Sequence, residues 1–213
     1  IHDNCHYMIR TIFFDLGGVV MTINPQGGVD KFQALGLKDA HNMLNSYTQT
    51  GIFGDLEAGK ITDEEFRLGL SSLLGHKVSH DECRSGWLGY RQDVPQRNLD
   101  KLLQLRQRGY RVVLTSNTNP YMMSWAESND FDGHGHSIAH YFDALYCSYR
   151  LRAMKPSDEF FYRILKAENV LPAEVLFVDD GARNVASASE MGIRTMLATN
   201  GGDWTKEIDK FLE

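Results

Sequence analysis

Basic clusters are missing from this chain of 213 residues, and so are long apolar runs. Lysine and arginine number 22 against 28 aspartates and glutamates, a net charge of −6, and no stretch gathers the positive charge. Nucleic-acid binding leaves a basic footprint, so no nucleic-acid partner is expected. No segment approaches the ~18–20 apolar residues that a membrane-spanning helix needs, so no membrane partner is expected either. Cysteine is scarce: Cys5, Cys83 and Cys147 are odd in number and widely spaced. They suggest neither a disulfide framework nor a zinc knuckle, and they fit a reducing cytoplasm. The opening IHDNCHYM lacks the basic-then-apolar layout of a secretory leader, and its initial Ile predicts residues upstream. Internal repeats and low-complexity tracts are absent as well.

What remains is an ordinary globular composition, 42% hydrophobic and 23% charged. The length suits one domain with an insert and a substantial core. Four short stretches rich in β-branched and aromatic residues read as buried strands: 9–16 (IRTIFFDL), 110–115 (YRVVLT), 174–179 (EVLFVD) and 194–199 (RTMLAT). Helical patterns at 96–109, 158–169 and 182–192 separate the later ones, the first stopping at Gly109 and the last at Gly192. Strands alternating with helices predict an α/β fold, a parallel sheet covered on both faces. The gap after the first strand is too long for a plain crossover. It carries two capping-box patterns, Thr62 to Glu65 and Ser79 to Glu82. Residues 24–93 therefore read as a small helical cap inserted into a core made of 9–23 and 94–213.

Ligands of parallel sheets bind beyond the carboxyl ends of the strands. Asp15 follows the first strand, Ser116 and Asn117 the second, Asp179 and Asp180 the third, while Lys155 precedes the helix at 158–169. These residues are expected at one sheet edge. Carboxylates placed together repel one another unless a cation intervenes, and oxygen ligands suit Mg²⁺. A lysine beside Asp15 keeps it ionised and adds charge for an anionic substrate. The Ser116 hydroxyl and the backbone N–H groups after it can hold phosphate oxygens. An ionised Asp15 can then attack phosphorus and form an aspartyl-phosphate. Gly17 and Gly18 let backbone approach the ion closely, and the Gly17 carbonyl can ligate metal without a side chain.

At these residues the chain resembles the haloacid dehalogenase-like hydrolase superfamily. Four motifs stand in order: Asp15-Leu16-Gly17-Gly18-Val19, Thr115-Ser116-Asn117, Lys155-Pro156, and Asp179-Asp180 through Asn184. The stretches LTSNTN (114–119) and MKPSDEFFYRIL (154–165) are similar to the bacterial branch that includes α-D-glucose-1-phosphate phosphatase. The resemblance implies a three-layer, Rossmann-like core with an inserted helical cap, and a Mg²⁺-dependent phosphatase of small phosphorylated metabolites, sugar phosphates above all. It implies Asp15 as nucleophile and metal ligand, the Gly17 carbonyl and Asp180 as further ligands, and Asp179 in support. Ser116 and Asn117 would bind the phosphoryl group, and Lys155 would tie it to Asp15.

One position departs from the family pattern. Most family phosphatases carry a second Asp two residues after the nucleophile, as general acid and base, where this chain has Gly17. General acid catalysis is typically worth ~10²–10⁴ in rate. A good leaving group such as a sugar 1-phosphate, a substitute from the cap or a bound water, or loss of catalysis would each accommodate the glycine. Two alternatives stay open beside the phosphatase: a metal-independent 2-haloacid dehalogenase, and a catalytically weak phosphometabolite-binding protein. Trp87, Tyr90 and Arg91 can face a substrate, although core packing is the plainer expectation. His134, His136 and His140 lie in a glycine-rich polar stretch that reads as an exposed loop rather than a zinc site. Oligomeric state leaves no signal.

Overall fold

Residues 7–44 and 49–213 are described by a computed structural model of the chain. Cys5 and most of the opening segment lie outside them. The first strand, β1 (Thr11–Phe14), is buried along its whole length. After it come β2 (Thr22–Ile23), α1 (Pro25–Ala34), α2 (Ala40–Met43), α3 (Gly51–Glu57), α4 (Asp63–Leu74), α5 (His80–Leu88) and β3 (Arg91–Asp93). The rest of the chain alternates: α6 (Gln96–Gln107), β4 (Arg111–Ser116), α7 (Pro120–Ala126), β5 (Ala144–Cys147), α8 (Ser148–Leu151), α9 (Asp158–Glu168), β6 (Val175–Asp179), α10 (Ala182–Glu190) and β7 (Arg194–Leu197).

Five strands form one parallel sheet in the order β5-β4-β1-β6-β7, which puts β1 at its centre. Successive β1 side chains point to opposite faces. Ile12 and Phe14 join one apolar cluster, and Phe13 joins another. Leu99, Leu102 and Leu105 of α6 belong to the first cluster, while Phe160, Phe161, Ile164 and Leu165 of α9 belong to the second. With helices on both sides, no polar face is left, and the strands read as unbroken apolar runs.

The four expected strands are present, β7 ending two residues earlier than its sequence pattern. The fifth, β5, was not anticipated: its four residues, ALYC, lie at the sheet edge and three are only partly buried. Nor was the antiparallel pairing of β2 with β3 anticipated. Strands of two and three residues are too short to show a period.

Both capping boxes form. Thr62 Oγ1 accepts from Glu65 N at 3.1 Å, and Glu65 Oε1 accepts from Thr62 N at 3.2 Å. Ser79 Oγ accepts from Glu82 N at 3.1 Å, and Glu82 Oε2 from Ser79 N at 2.7 Å. The helices between β2 and β3 pack on Phe32, Phe53, Phe66 and Trp87. Phe53 meets Phe32 and Phe66 edge-on with ring centroids 5.0 and 5.1 Å away. Such pairs add ~0.5–1.5 kcal/mol each beyond the burial of their area. Among the described residues, no helix is long and apolar enough to cross a membrane.

Candidate active site

The register of the sheet assembles the site. Phe14 is level with Leu114 on β4 and with Val178 on β6. The next residues, Asp15, Thr115 and Asp179, therefore emerge side by side at the carboxyl edge. Asp15 N still donates to Val178 O at 3.0 Å, so the nucleophile candidate stands on the last rung of the ladder. Leu16 N donates to Asp15 Oδ1 at 2.8 Å and fixes its rotamer.

Lys155 is buried beside it, its side chain only 1% exposed. Its Nζ lies 3.0 Å from Asp15 Oδ1 and donates to Asp179 Oδ2 at 2.6 Å and to Thr115 O at 2.9 Å. An ammonium has three donors, and all three are engaged. Asn117 clamps the lysine from its main chain: Nδ2 donates to Lys155 O at 3.0 Å, and Oδ1 accepts from Lys155 N at 2.9 Å. The Asn117 amide is thus committed to placing Lys155, whereas Ser116, whose Oγ donates to Asn117 O at 3.3 Å, borders the open space.

Asp179 is wholly buried, and its carboxylate is tied down from both ends. Besides Lys155, it accepts from Gly181 N at 2.7 Å and from Asn184 Nδ2 at 3.1 Å. Asp180, one residue on, is freer. Gly18 explains its position: φ is +83°, and a Cβ built there would stand 2.1 Å from Asp180 Oδ2. Only glycine lets the acid lie against that turn. Gly17 differs from the expectation placed on both glycines. Its φ is ordinary, and a Cβ would meet only the Ile23 side chain, its Cγ2 at 3.1 Å.

Oxygens of Asp15, Asp179 and Asp180 come within 4.8 Å of one another. Three carboxylates face one lysine, a surplus of two negative charges. Burial holds the Asp15 carboxyl well above the ordinary range, against the pull of Lys155 and with a push from Asp179 and Asp180. Partial burial and then Asp179 push Asp180 up to about 6. Burial disfavours the Lys155 charge, but Asp15 and Asp179 outweigh it, and its pKa rises. A single divalent ion would neutralise the surplus, and the donors are hard oxygens, so this residue set fits Mg²⁺.

Asp15, Ser116, Lys155 and Asp180 line the floor of a cavity of about 830 Å³, with Asp179 buried behind them. The helical segment supplies the opposite wall with Gln49, Glu57, Trp87 and Tyr90. Trp87 and Tyr90 serve both purposes foreseen for them, packing in the apolar cluster and bordering the cavity. Arg91 does not line it and lies over the Trp125 ring at 4.5 Å. The three histidines are also elsewhere, around Asp132. That buried carboxylate accepts from His134 N at 2.7 Å, His136 N at 3.0 Å and Tyr141 Oη at 2.5 Å. Glu57 and Asn119 were not singled out from the sequence. A signal existed for Glu57: it follows Phe53 by four residues and falls on the buried face of α3, an acid at an apolar position.

The profile of the haloacid dehalogenase-like hydrolases matches residues 9–192. The chain belongs to that family. A D-ribitol-5-phosphate phosphatase of Bacteroides thetaiotaomicron is 44% identical over 96% of this chain and 99% of its own length. A HAD-like family hydrolase from Porphyromonas gingivalis superposes with a TM-score of 0.91 at 35% identity, covering 97% of this chain and 98% of that one. A HAD family enzyme from B. thetaiotaomicron, solved with magnesium and inorganic phosphate, gives a TM-score of 0.85 at 32% identity over 93% of this chain and 98% of that one. The family expected from the motifs is the family found, and the enzyme is a HAD-like phosphatase.

Proposed function

We propose that this HAD-like phosphatase is a Mg²⁺-dependent phosphomonoesterase of small polyol or sugar phosphates that works through an aspartyl-phosphate. One observation carries the reading: Asp15 Oδ1 stands 3.0 Å from the buried Lys155 ammonium, in a cavity that Asp180 also lines, with Asp179 buried behind them. In this reading Asp15 attacks phosphorus. Lys155 opposes the effect of burial and favours the ionised form, and its contact with Asp15 would pass to a phosphoryl oxygen as the bond to phosphorus forms. Ser116 and the main chain at Asn117 hold the other oxygens. Asp15, the Gly17 carbonyl and Asp180 would hold the metal, with Asp179 orienting Lys155 in support. When bound, Mg²⁺ offsets charge on the transferring phosphoryl group.

Residues 24–93 act as the cap, over a core of 9–23 and 94–213. The cap wall favours a hydroxyl-rich substrate. Trp87 Nε1 and Tyr90 Oη are buried and have no hydrogen-bond partner among the described residues, the Gln49 side chain standing near Tyr90 without completing a bond. Buried polar groups left unpaired are costly, so a small turn of either side chain toward the cavity would let it bind a substrate hydroxyl selectively. The relative named for D-ribitol 5-phosphate points the same way, toward an open-chain polyol phosphate rather than glucose 1-phosphate as first choice. A cytoplasmic location suits the two buried free thiols, Cys83 and Cys147.

A phosphate-release screen tests this. Polyol 5-phosphates are expected to turn over fastest, with sugar phosphates slower and EDTA abolishing release. Thermal stabilisation by these compounds without any release would instead favour the weak binding protein that Gly17 allows. Gly18→Ala is a sharper probe of the metal. It is expected to displace Asp180, raise the Mg²⁺ concentration for half-activation at least ~10-fold, and cost about 1–2 kcal/mol for the left-handed backbone. Unchanged Mg²⁺ activation in that variant would remove Asp180 as a ligand.

A further inference from the structure

The family's proton-transfer position is Gly17, and no side chain can be added there without pressing on Ile23. Attack by Asp15 expels the leaving oxygen on the far side of phosphorus, toward the cap. The residue to look for is therefore an ionisable one on the cap wall. Glu57 is the acid there. It ends α3, lines the same cavity, and is 5% exposed. Asn119 Nδ2 donates to its Oε2 at 3.3 Å. Asn119 caps α7, three residues beyond Ser116, and its Oδ1 accepts from Met122 N at 3.1 Å. The amide is thus oriented by the helix it caps, and it ties the cap acid to the loop that follows β4.

We propose that Glu57 is the general acid and base of this phosphatase, replacing across the cavity the carboxylate missing at position 17. The proposal rests on the aspartyl-phosphate reading above. As the Asp15–phosphorus bond forms, the ester P–O bond breaks and its electron pair stays on the leaving oxygen. The Glu57 carboxyl proton moves to that oxygen, and the alcohol departs. Water then attacks phosphorus and gives a proton to the Glu57 carboxylate. The bond to Asp15 breaks, inorganic phosphate is released, and both residues return to their starting states.

The surroundings suit that duty. Burial pushes Glu57 up from the ordinary 4.5 to about 7, with the Asn119 hydrogen bond and the Lys155 charge opposing. The other titratable group in reach is the Tyr90 phenol, on which the Glu57 charge acts in turn. An acid poised near neutrality can both give and take a proton.

The test compares two substrates with Mg²⁺ present. Polyol 5-phosphate leaves as an alkoxide that needs a proton, whereas p-nitrophenyl phosphate leaves as a stable anion. Glu57→Gln is expected to lose ~10²–10⁴-fold in kcat/KM on the first and only a few-fold on the second, because kcat/KM ends with departure of the leaving group and does not include the hydrolysis step that the two substrates share. Wild-type kcat/KM on the polyol ester should fall as pH rises past about 7, and that limb should vanish in the variant. Glu57→Asp should recover part of the loss. Equal losses on both substrates, or none on either, overturn the assignment and leave the phosphatase standing. Wild-type enzyme silent on both would sink the phosphatase and the assignment together. Thermal melting guards against misfolding: the Gln variant should gain on wild type as pH rises from 5 to 8, because ionising a buried acid destabilises the fold.

Discussion

Asp15→Asn is expected to lower kcat by roughly 10³-fold or more while leaving the fold intact. Asn keeps an oxygen for the Leu16 N–H and for Lys155, so the geometry around it survives. It lacks the carboxylate proposed as nucleophile. The variant should also reveal the electrostatic state of the site. Burial, helped by Asp179 and Asp180, holds Asp15 above its ordinary 3.8. A raised carboxyl loses stability as pH climbs from that ordinary value through the folded one, because the unfolded chain releases its proton first. Asn removes this penalty. In EDTA at pH 8 the variant should therefore melt at or above the wild-type temperature while releasing no phosphate. Steady-state phosphate assays and melting curves on the same preparations check both halves. Near-normal turnover would end the covalent mechanism; a much lower melting point would mean that Asp15 supports the fold rather than straining it.

Lys155→Met is expected to be damaging in the opposite way. Lysine is the one cation joined directly to Asp15 and Asp179 among the described residues. Breaking a buried pair from one side costs ~3–5 kcal/mol, since the remaining charge stays buried without a partner. For a chain of this size that is roughly 6–20 °C of melting temperature. The loss should be largest at pH 8 and shrink toward pH 5, as the abandoned Asp15 carboxyl takes up a proton. Added Mg²⁺ should restore part of it by supplying positive charge nearby. Differential scanning calorimetry at the two pH values, with and without Mg²⁺, reads these effects. A pH-independent loss would mean that Lys155 matters for packing alone.

Apart from Lys155, the residues gathered at the sheet edge were readable in the chain because they sit at strand ends, and strand ends are marked by where apolar runs stop. FFDL, VVLTS and LFVDD each announce their last position. The capping boxes likewise depend on residues three apart and formed as expected. The cap wall was harder. Which of its side chains face inward depends on how five short helices turn against one another, and no local period records that. Glu57 was legible only as an acid out of place on an apolar face. Tyr90 and Trp87 were visible as candidates, but their unpaired polar atoms emerge only from three-dimensional packing. The two glycines looked alike in sequence; their difference lies in Asp180, some 160 residues away and pressed against Gly18 alone.

The pairing of β2 with β3 has a wider bearing. The chain leaves the sheet layer at Thr22–Ile23 and comes back at Arg91–Asp93, so the two crossings are neighbours. If the segment between is the proposed cap, it is a graft with one stem. Other sequences could be exchanged at that stem while the acids, the lysine and the sheet beneath stayed as they are. On the proposed function, recognition of the alcohol and attack on the phosphate are thereby separable traits, free to diverge at different speeds. If the proton donor belongs to the exchanged part, however, swapping specificity also swaps half of the chemistry.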